Sequence, residues 1–377
     1  MEKRMMGKTG VETSLLGYGC MRLPMNEEGK IDEEKAEALL DRAIAGGVNY
    51  IDAAYPYLNG QCEAFVGKVM QKYDRSKVHV ATKLPLWNLQ TVEDAEKIFA
   101  EQLQRLQTDH IEFYLMHAVN GETWKKMVEI GVVKRLEELK AEGKIINLGF
   151  SFHDKYEVFE EILNYRDWDF CQIQLNYMDV NIQAGMKGYD LTVEKDIPLV
   201  IMEPVKGGTL AAFADDITAR FHELDSNASV ASFALRWVAS LPNVKVVLSG
   251  MGNSEMLEDN LKTFGNFKPM DQKELDTIAG IVELINSRVQ NSCTGCSYCM
   301  PCPFGVDIPG TFRIWNTYHM YQNYNLVKRP WERREESKLP KNCKQCGKCE
   351  SVCPQKIRIR EDLARAQEDL DKKEMIV

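Results

Sequence analysis

Four side chains of unlike chemistry stand at or just beyond the ends of short apolar runs: Asp52, Tyr57, Lys83 and His117. A phenol such as Tyr57 has a reference pKa near ~10. A neighbouring Lys83 ammonium favours phenolate and is expected to lower that value, which makes proton transfer near neutral pH feasible. A buried lysine needs a counter-charge, and Asp52 on the adjacent run is the candidate. His117 can donate a hydrogen bond to a carbonyl oxygen. Together the four suit protonation of an oxyanion as hydride reaches a carbonyl carbon. A second concentration of chemistry lies further on. Three cysteines, Cys20, Cys62 and Cys171, are scattered through the first 292 residues, whereas the other eight of the eleven fall between Cys293 and Cys353. A disulfide scaffold spreads its cysteines through a short secreted chain, so a dense tail on a cysteine-poor body reads as a metal-binding module in a reducing compartment.

The elements that must hold these residues follow a simple rhythm. Apolar runs at Ser14–Cys20, Val48–Ala53, Val78–Lys83, Ile111–His117, Ile145–Phe150, Phe170–Leu175, Leu199–Glu203 and Val244–Gly250 alternate with segments of helical period. The helical segments include Asp32–Ala45, Thr91–Leu106, Glu122–Lys140 and Ser229–Ser240. Thr91 with Asp94 resembles a capping box, and Ser254 with Glu255 opens a further helix. Eight strands in roughly 250 residues predict an α/β fold of the (β/α)8 TIM-barrel type. The alternative is a doubly wound open sheet, disfavoured because no GxGxxG follows the first run. We expect the barrel over residues 1–270 and a small, mainly α module with a helical linker over 271–377. In a barrel, chemistry gathers at the C-terminal ends of the strands. Asp52, Lys83, His117, Ser151, Asn176, Tyr177 and Glu203 all fall at such ends.

Composition sets outer bounds. The 377 residues are 44% hydrophobic and 27% charged, and 47 basic against 56 acidic side chains leave a net charge of −9. That balance argues against nucleic-acid binding. No stretch reaches the roughly 20 apolar residues of a membrane span, and the opening MEKRMMGKTG has no apolar signal core, so a cytoplasmic protein without a membrane partner is expected.

Taken in order, IDAAYPY (51–57), ATK (81–83), LMHA (115–118), GFS (149–151), QLNY (174–177), MEPVKGG (202–208) and SGMGNSEMLEDN (249–260) resemble the successive signatures of the aldo-keto reductases. The resemblance covers nearly the whole barrel and is specific as a set. It implies a (β/α)8 barrel that reduces a small-molecule carbonyl, or oxidises an alcohol, with NADP or NAD. Asp52, Tyr57, Lys83 and His117 match the catalytic tetrad, with Tyr57 as acid or base. Ser151 and Gln174 would hold the nicotinamide carboxamide and Tyr177 would stack on its ring. Lys206, Gly207 and Gly208, together with Gly250, Gly252, Asn253, Asp259 and Asn260, would line the rest of the cofactor site, with a helix N-terminus beyond Asn253 offering free N–H groups to phosphate. Two departures stand out. Where many members place a cation for the 2′-phosphate, this chain has Met256 among Glu255, Glu258 and Asp259, which leaves NAD and NADP both open. Phe152 replaces the Asn that often follows the serine.

The tail reads CTGCSYCMPCP and CKQCGKCESVCP, and each run resembles the bacterial ferredoxin run for 4Fe-4S clusters. In that arrangement the fourth cysteine serves the other cluster. The resemblance therefore implies Cys293, Cys296, Cys299 and Cys353 around one cluster, and Cys302, Cys343, Cys346 and Cys349 around the other. Paired CxxC units are also zinc-like, although the third cysteine and the Cys-Pro ends are superfluous to zinc. Between the quartets, residues 311–339 read as a helical link whose aromatics pack, and 358–377 as an exposed charged helix. The combination suggests a two-module oxidoreductase whose clusters either relay electrons to a ferredoxin-like partner or staple the fold. Nicotinamide moves electron pairs and a cluster single electrons; a flavin would bridge the two, but no flavin motif is visible. The rival reading is an electron-transfer or regulatory iron-sulfur protein whose barrel binds nicotinamide without turnover.

Overall fold

The structure, a computed structural model, describes residues 1–374. Its eight barrel strands follow a two-stranded hairpin. The hairpin strands are β1 (Lys3–Met5) and β2 (Glu12–Ser14), paired antiparallel with Lys3 opposite Ser14. The barrel strands are β3 (Leu16–Gly19), β4 (Tyr50–Asp52), β5 (His79–Pro85), β6 (Ile111–Val119), β7 (Ile145–Phe152), β8 (Phe170–Gln174), β9 (Leu199–Met202) and β10 (Val244–Ser249). All pair in parallel with their sequence neighbours, and β10 closes onto β3. The eight expected runs are thus the eight barrel strands, and the open sheet is excluded.

Side-chain parity along these strands divides the barrel interior by depth. Successive residues of a strand point to opposite faces. The inward positions near the N-terminal ends are apolar: Tyr50, Ala81, Phe113, Phe170, Val200 and Val246 form one buried cluster with Met6. Two residues further along the same faces stand Asp52 on β4, Lys83 on β5 and, four beyond Phe113, His117 on β6. The same alternation carries Ser151 on β7, two beyond Gly149, and Gln174 on β8, four beyond Phe170. The hairpin, which escaped the sequence reading because its strands are three residues long and polar, sits at the N-terminal end. Arg4 Nη1 donates to the Val244 carbonyl at 2.6 Å, and Met6 is fully buried in the interior cluster.

The helices begin where the caps direct. Thr91 accepts from the Asp94 N–H and Asp94 accepts from the Thr91 N–H, completing the capping box of the helix Val92–Leu106. Asn253, rather than Ser254, caps the helix Ser254–Gly265. The segment read as one helix over 122–140 is two, Gly121–Glu129 and Val132–Ala141, separated at Gly131 with φ of +80°. That left-handed value suits glycine and ends the helical path.

By contact, the chain divides into two compact units: Met1–Gly207 with Ala231–Met270, and Gly208–Val230 with the chain from Asp271 onward. The second unit is mainly helical. Its core gathers Ile308, Phe312, Trp315 and Tyr318 of the helix Ile308–Tyr321, Val327 and Trp331 of Asn325–Glu332, and Ile359, Leu363, Ala366 and Leu370 of Ile359–Lys372. The last helix is therefore amphipathic, not simply exposed: its apolar residues recur at four-, three- and four-residue steps and face the core. Residues 375–377 of that expected helix lie outside the described residues. The aromatics of the link are buried as packing, and Trp315 Nε1 donates to Asp369 Oδ2 at 2.8 Å. No helix among the described residues is long and apolar enough to cross a membrane.

The helix that follows the Tyr57 loop, Cys62–Met70, packs against Val92–Leu106 at Gly67. A Cβ there would stand 2.3 Å from the Arg105 carbonyl oxygen and 2.7 Å from Leu106 Cα, both backbone atoms that cannot swing aside. Gly67→Ala is expected to lower stability by about 1–3 kcal/mol through overpacking. A wild-type urea midpoint for the variant would show that these helices separate freely.

Candidate active site and metal centres

Lys83 is the pivot of the barrel mouth. It is 0% exposed, and its Nζ donates to Asp52 Oδ2 at 2.7 Å, to the Ala53 carbonyl at 2.8 Å and to Tyr57 Oη at 3.3 Å. Burial disfavours the ammonium, but Asp52 and Tyr57 outweigh it and hold the lysine above its usual pKa. Lys83 is therefore a fixed positive charge. His117 completes the group: its ring lies 5.9 Å from that of Tyr57, edge to face, and 5.4 Å from that of Trp87. Burial, reinforced by Lys83 and then His153, depresses the His117 pKa to about 3, so the imidazole is neutral across ordinary pH. Its Nδ1 is buried and has no hydrogen-bond partner among the described residues.

One expectation about Tyr57 is reversed. Lys83 does favour its phenolate, yet burial is the larger effect and Asp52 adds to it, so the phenol stands above its ordinary pKa. The ammonium limits the rise without reversing its sign. The phenol of Tyr57 is therefore protonated at neutral pH.

The loops beyond the strands are backbone-strained where the site forms. Leu58 and Asn59 after β4, Ala118 in β6, and Glu203 and Lys206 after β9 all have φ between 50° and 57° without being glycine. Such conformations persist where surrounding structure imposes them, and they cluster at functional sites.

The remaining expected cofactor residues fall into two groups. Ser151, 1% exposed, accepts from the Ala118 N–H at 2.8 Å, and Gln174, 3% exposed, donates to the Ile182 carbonyl at 3.3 Å; each keeps further polar capacity beside the tetrad strands. Tyr177 is buried against Trp237 with ring centroids 6.5 Å apart. Others are occupied by structure. Lys206 is ion-paired to Asp179 at 2.5 Å, and Asn260 donates to Ser249 Oγ at 2.6 Å. Asn253 spends its side-chain oxygen on the Met256 N–H at 2.9 Å. Asp259 is part-exposed and its carbonyl accepts from Thr263. Gly207 and Gly208 take φ of +65° and +104°, and Gly250 and Gly252 lie at the end of β10. Glu258 is held bidentate by Arg42, both bonds at 2.7 Å, which neutralises one of the acids beside the exposed Met256.

Arg22, which the sequence reading passed over, lies against these glycines. A Cβ on Gly250 would stand 3.2 Å from Arg22 Cδ, one on Gly252 2.9 Å from the Arg22 carbonyl oxygen, and one on Gly207 3.9 Å from Arg22 Nη2. Its guanidinium makes no ion pair among the described residues and is exposed, so a cation does reach the Gly207 loop, from the end of β3 rather than from β9. The signal was present in GCMRLP, one turn beyond the first strand, but a lone arginine in a loop is ordinarily a solvated one. Of the residues at the ends of β4, β5 and β6, Leu86 and Val119 are buried core, Asn120 caps a helix, and Tyr55 is bonded to Glu101. Trp87, 49% exposed, is the one beside His117.

In the second unit the cysteines line two cavities that open to solvent. The first is lined by Cys293, Cys296, Cys299 and Cys353; the second by Cys302, Cys343, Cys346 and Cys349, with Cys299 on their common wall. The chain thus carries each Cys-Pro cysteine across to the other quartet. Among the described residues no three His, Cys, Asp or Glu converge to the distance that grips a single ion. Cysteine thiols are the metal-ligating side chains that line each cavity, the donor chemistry of a 4Fe-4S cluster.

The geometry and the comparisons with known proteins agree on the class. Residues 15–283 match the aldo/keto reductase family, and the chain belongs to it. Residues 292–357 match the 4Fe-4S dicluster domain. An uncharacterized oxidoreductase of Bacillus subtilis, YqkF, is 26% identical over 309 residues, spanning 74% of this chain and 95% of its own. The holo form of an aldo-keto reductase from Bacillus halodurans, AKR11C1, superimposes with a TM-score of 0.64 at 25% identity, covering 74% of this chain and 96% of its own. An aldo-keto reductase from Klebsiella pneumoniae, solved with NADPH, shares the fold at a TM-score of 0.62 and 20% identity, covering 75% of this chain and 96% of its own. The protein is an oxidoreductase of this family with an iron-sulfur domain.

The depressed His117 sets a pH dependence. Its folded-state pKa of about 3 lies below the unfolded value near ~6.5, so the unfolded chain binds more protons between them. Stability contributed by neutral His117 is complete above pH ~6.5 and is lost as pH falls toward ~3. His117→Gln should flatten that part of the urea-midpoint profile; identical profiles for wild type and variant would remove the predicted burial effect.

Proposed function

We propose that the barrel catalyses NAD(P)H-dependent reduction of a small-molecule carbonyl, or the reverse oxidation of an alcohol, with Tyr57 as general acid or base. The observation that carries this reading is the chain Asp52–Lys83–Tyr57, with a phenol 3.3 Å from an ammonium that a buried carboxylate fixes in place. A bound nicotinamide supplies or accepts the hydride. Tyr57 gives its proton to the developing alkoxide oxygen, and Lys83 stabilises the phenolate that remains. Neutral His117 orients the carbonyl oxygen toward the phenol, and Trp87 forms an apolar wall beside it. Ser151 and Gln174 would hold the carboxamide of a bound nicotinamide with their spare polar capacity, and Tyr177 would pack against its ring. The raised pKa of Tyr57 supports the reductive direction, in which the residue must begin protonated.

The guanidinium of Arg22 lies beside Gly207, while its stem and carbonyl pack on Gly250 and Gly252, so it is suited to the cofactor pyrophosphate, the role that Lys206 cannot take while it is paired to Asp179. The helix beginning at Ser254 turns N–H groups toward the same loop. With Met256 exposed and Arg42 committed to Glu258, the start of that helix supports use of NADH as readily as NADPH.

The eight tail cysteines are free thiols at their two cavities, and we assign Cys293, Cys296, Cys299 and Cys353 to one 4Fe-4S cluster and Cys302, Cys343, Cys346 and Cys349 to the other. Bound clusters add one-electron exchange. Free thiols and oxygen-labile clusters belong in a reducing setting, so we place the protein in the cytoplasm.

Tyr57→Phe tests the central step. In a steady-state assay with aldehydes and ketones and both nucleotides, the variant should lose about 10²–10⁴-fold in kcat while still binding cofactor. Equal, inert behaviour of wild type and variant, with cofactor bound, would leave the barrel a non-catalytic binding module. Separately, Arg22→Met should weaken nucleotide binding by about 1.5–3 kcal/mol, read by fluorescence titration, with no change in the melting of the protein alone. Unaltered affinity would remove Arg22 from the phosphate site.

A further inference from the structure

The two cysteine cavities differ sharply in charge. Residues 292–306, which carry Cys293, Cys296, Cys299 and Cys302, contain no charged side chain. Residues 340–360, which carry the other four, contain Lys341, Lys344, Lys348, Lys356, Arg358 and Arg360 against the single acid Glu350, in a chain whose net charge is −9. Lys344, Lys348 and Arg360 line the second cavity itself, together with Phe304, which is 43% exposed. Glu350 is committed to Arg360 at 2.8 Å, whereas Lys344 and Lys348 are exposed and make no ion pair among the described residues.

Compensation of thiolate charge does not account for this rim. The first cavity gathers four cysteine donors, Cys353 of the basic stretch among them, with no charged residue in its lining, so holding a cluster does not require one. Uncompensated lysines concentrated at one opening on an acidic protein produce a directional field, which raises the encounter rate with an oppositely charged partner. An exposed aromatic bordered by cations at a thiol-lined opening is the form of a small, transient docking surface.

We propose that the Lys344–Lys348–Phe304 rim of the second cavity docks an acidic one-electron carrier protein, and that this cavity, not the first, is the one through which the module meets its redox partner. The proposal rests on the reading of the cysteines as cluster ligands, but the surface can be tested by binding alone. Anaerobically purified full-length protein, with its iron and sulfide measured, is titrated with a strongly acidic plant-type 2Fe-2S ferredoxin as probe, and complex formation is followed by interferometry. Affinity should fall at least about tenfold between about 50 and about 200 mM salt, as screening shortens the field. Lys344→Glu with Lys348→Glu should reduce it at least about tenfold at low salt, with iron, sulfide and melting unchanged. Lys77→Glu with Lys134→Glu, on the barrel unit, should leave it as in the wild type. Absence of binding, equal binding by the rim variant, equal loss in the barrel variant, or equal competition by duplex DNA would each overturn the proposal. Binding lost only in the rim variant of a protein that holds no iron or sulfide would uphold the surface and overturn the cluster reading instead.

Discussion

A fully buried ammonium is the constraint on which the barrel mouth depends. Removing Lys83 from water is costly, and only a close, well-aligned acceptor set offsets that cost. Asp52 and the Ala53 carbonyl supply it at 2.7 and 2.8 Å, and both belong to the end of one neighbouring strand. The third direction of the ammonium falls to Tyr57. Because the lysine cannot leave without stranding Asp52, the phenol is presented to a charge whose position does not vary. Mutual dependence of three residues on two adjacent strands and one loop thus converts sheet register into chemical geometry.

The barrel supports this by grading its interior. Aromatic and aliphatic side chains fill the N-terminal half, with Met6 of the hairpin beneath them, and the same alternating positions become polar in the last turns of β4 to β8. The apolar floor excludes water from below, which is why burial dominates the behaviour of both His117 and Tyr57. It drives the imidazole to its neutral form and keeps the phenol protonated, two consequences of one environment.

Much of this was legible in the sequence because barrel strands are continuous apolar runs and the polar residues of the mouth end them. Asp52, Lys83 and His117 could be placed from run boundaries alone. The three-residue hairpin could not, since KRM and ETS lack any apolar period. The single helix expected over 122–140 failed at Gly131, whose backbone state is invisible in a period that continues across it. Lys206 was readable as a loop cation but not as a partner of Asp179, which lies 27 residues away and meets it only through the fold. Arg22 was the mirror case, an unremarked residue given significance by three distant glycines. The sign of the Tyr57 shift escaped for a related reason: a neighbouring charge can be guessed from sequence, whereas the depth of burial that opposes it is a property of the closed barrel.

The exchange of Cys302 and Cys353 between the two cavities carries an architectural implication. Neither cavity is walled by a single contiguous quartet, so the module cannot be halved: a chain ending before Cys343 lacks most of one enclosure and one wall of the other. The two halves are interlocked like clasped hands, with the buried Ile308–Tyr321 and Ile359–Lys372 helices as the wrists. Such a unit cannot be divided at the link between its two cysteine runs without opening both pockets at once.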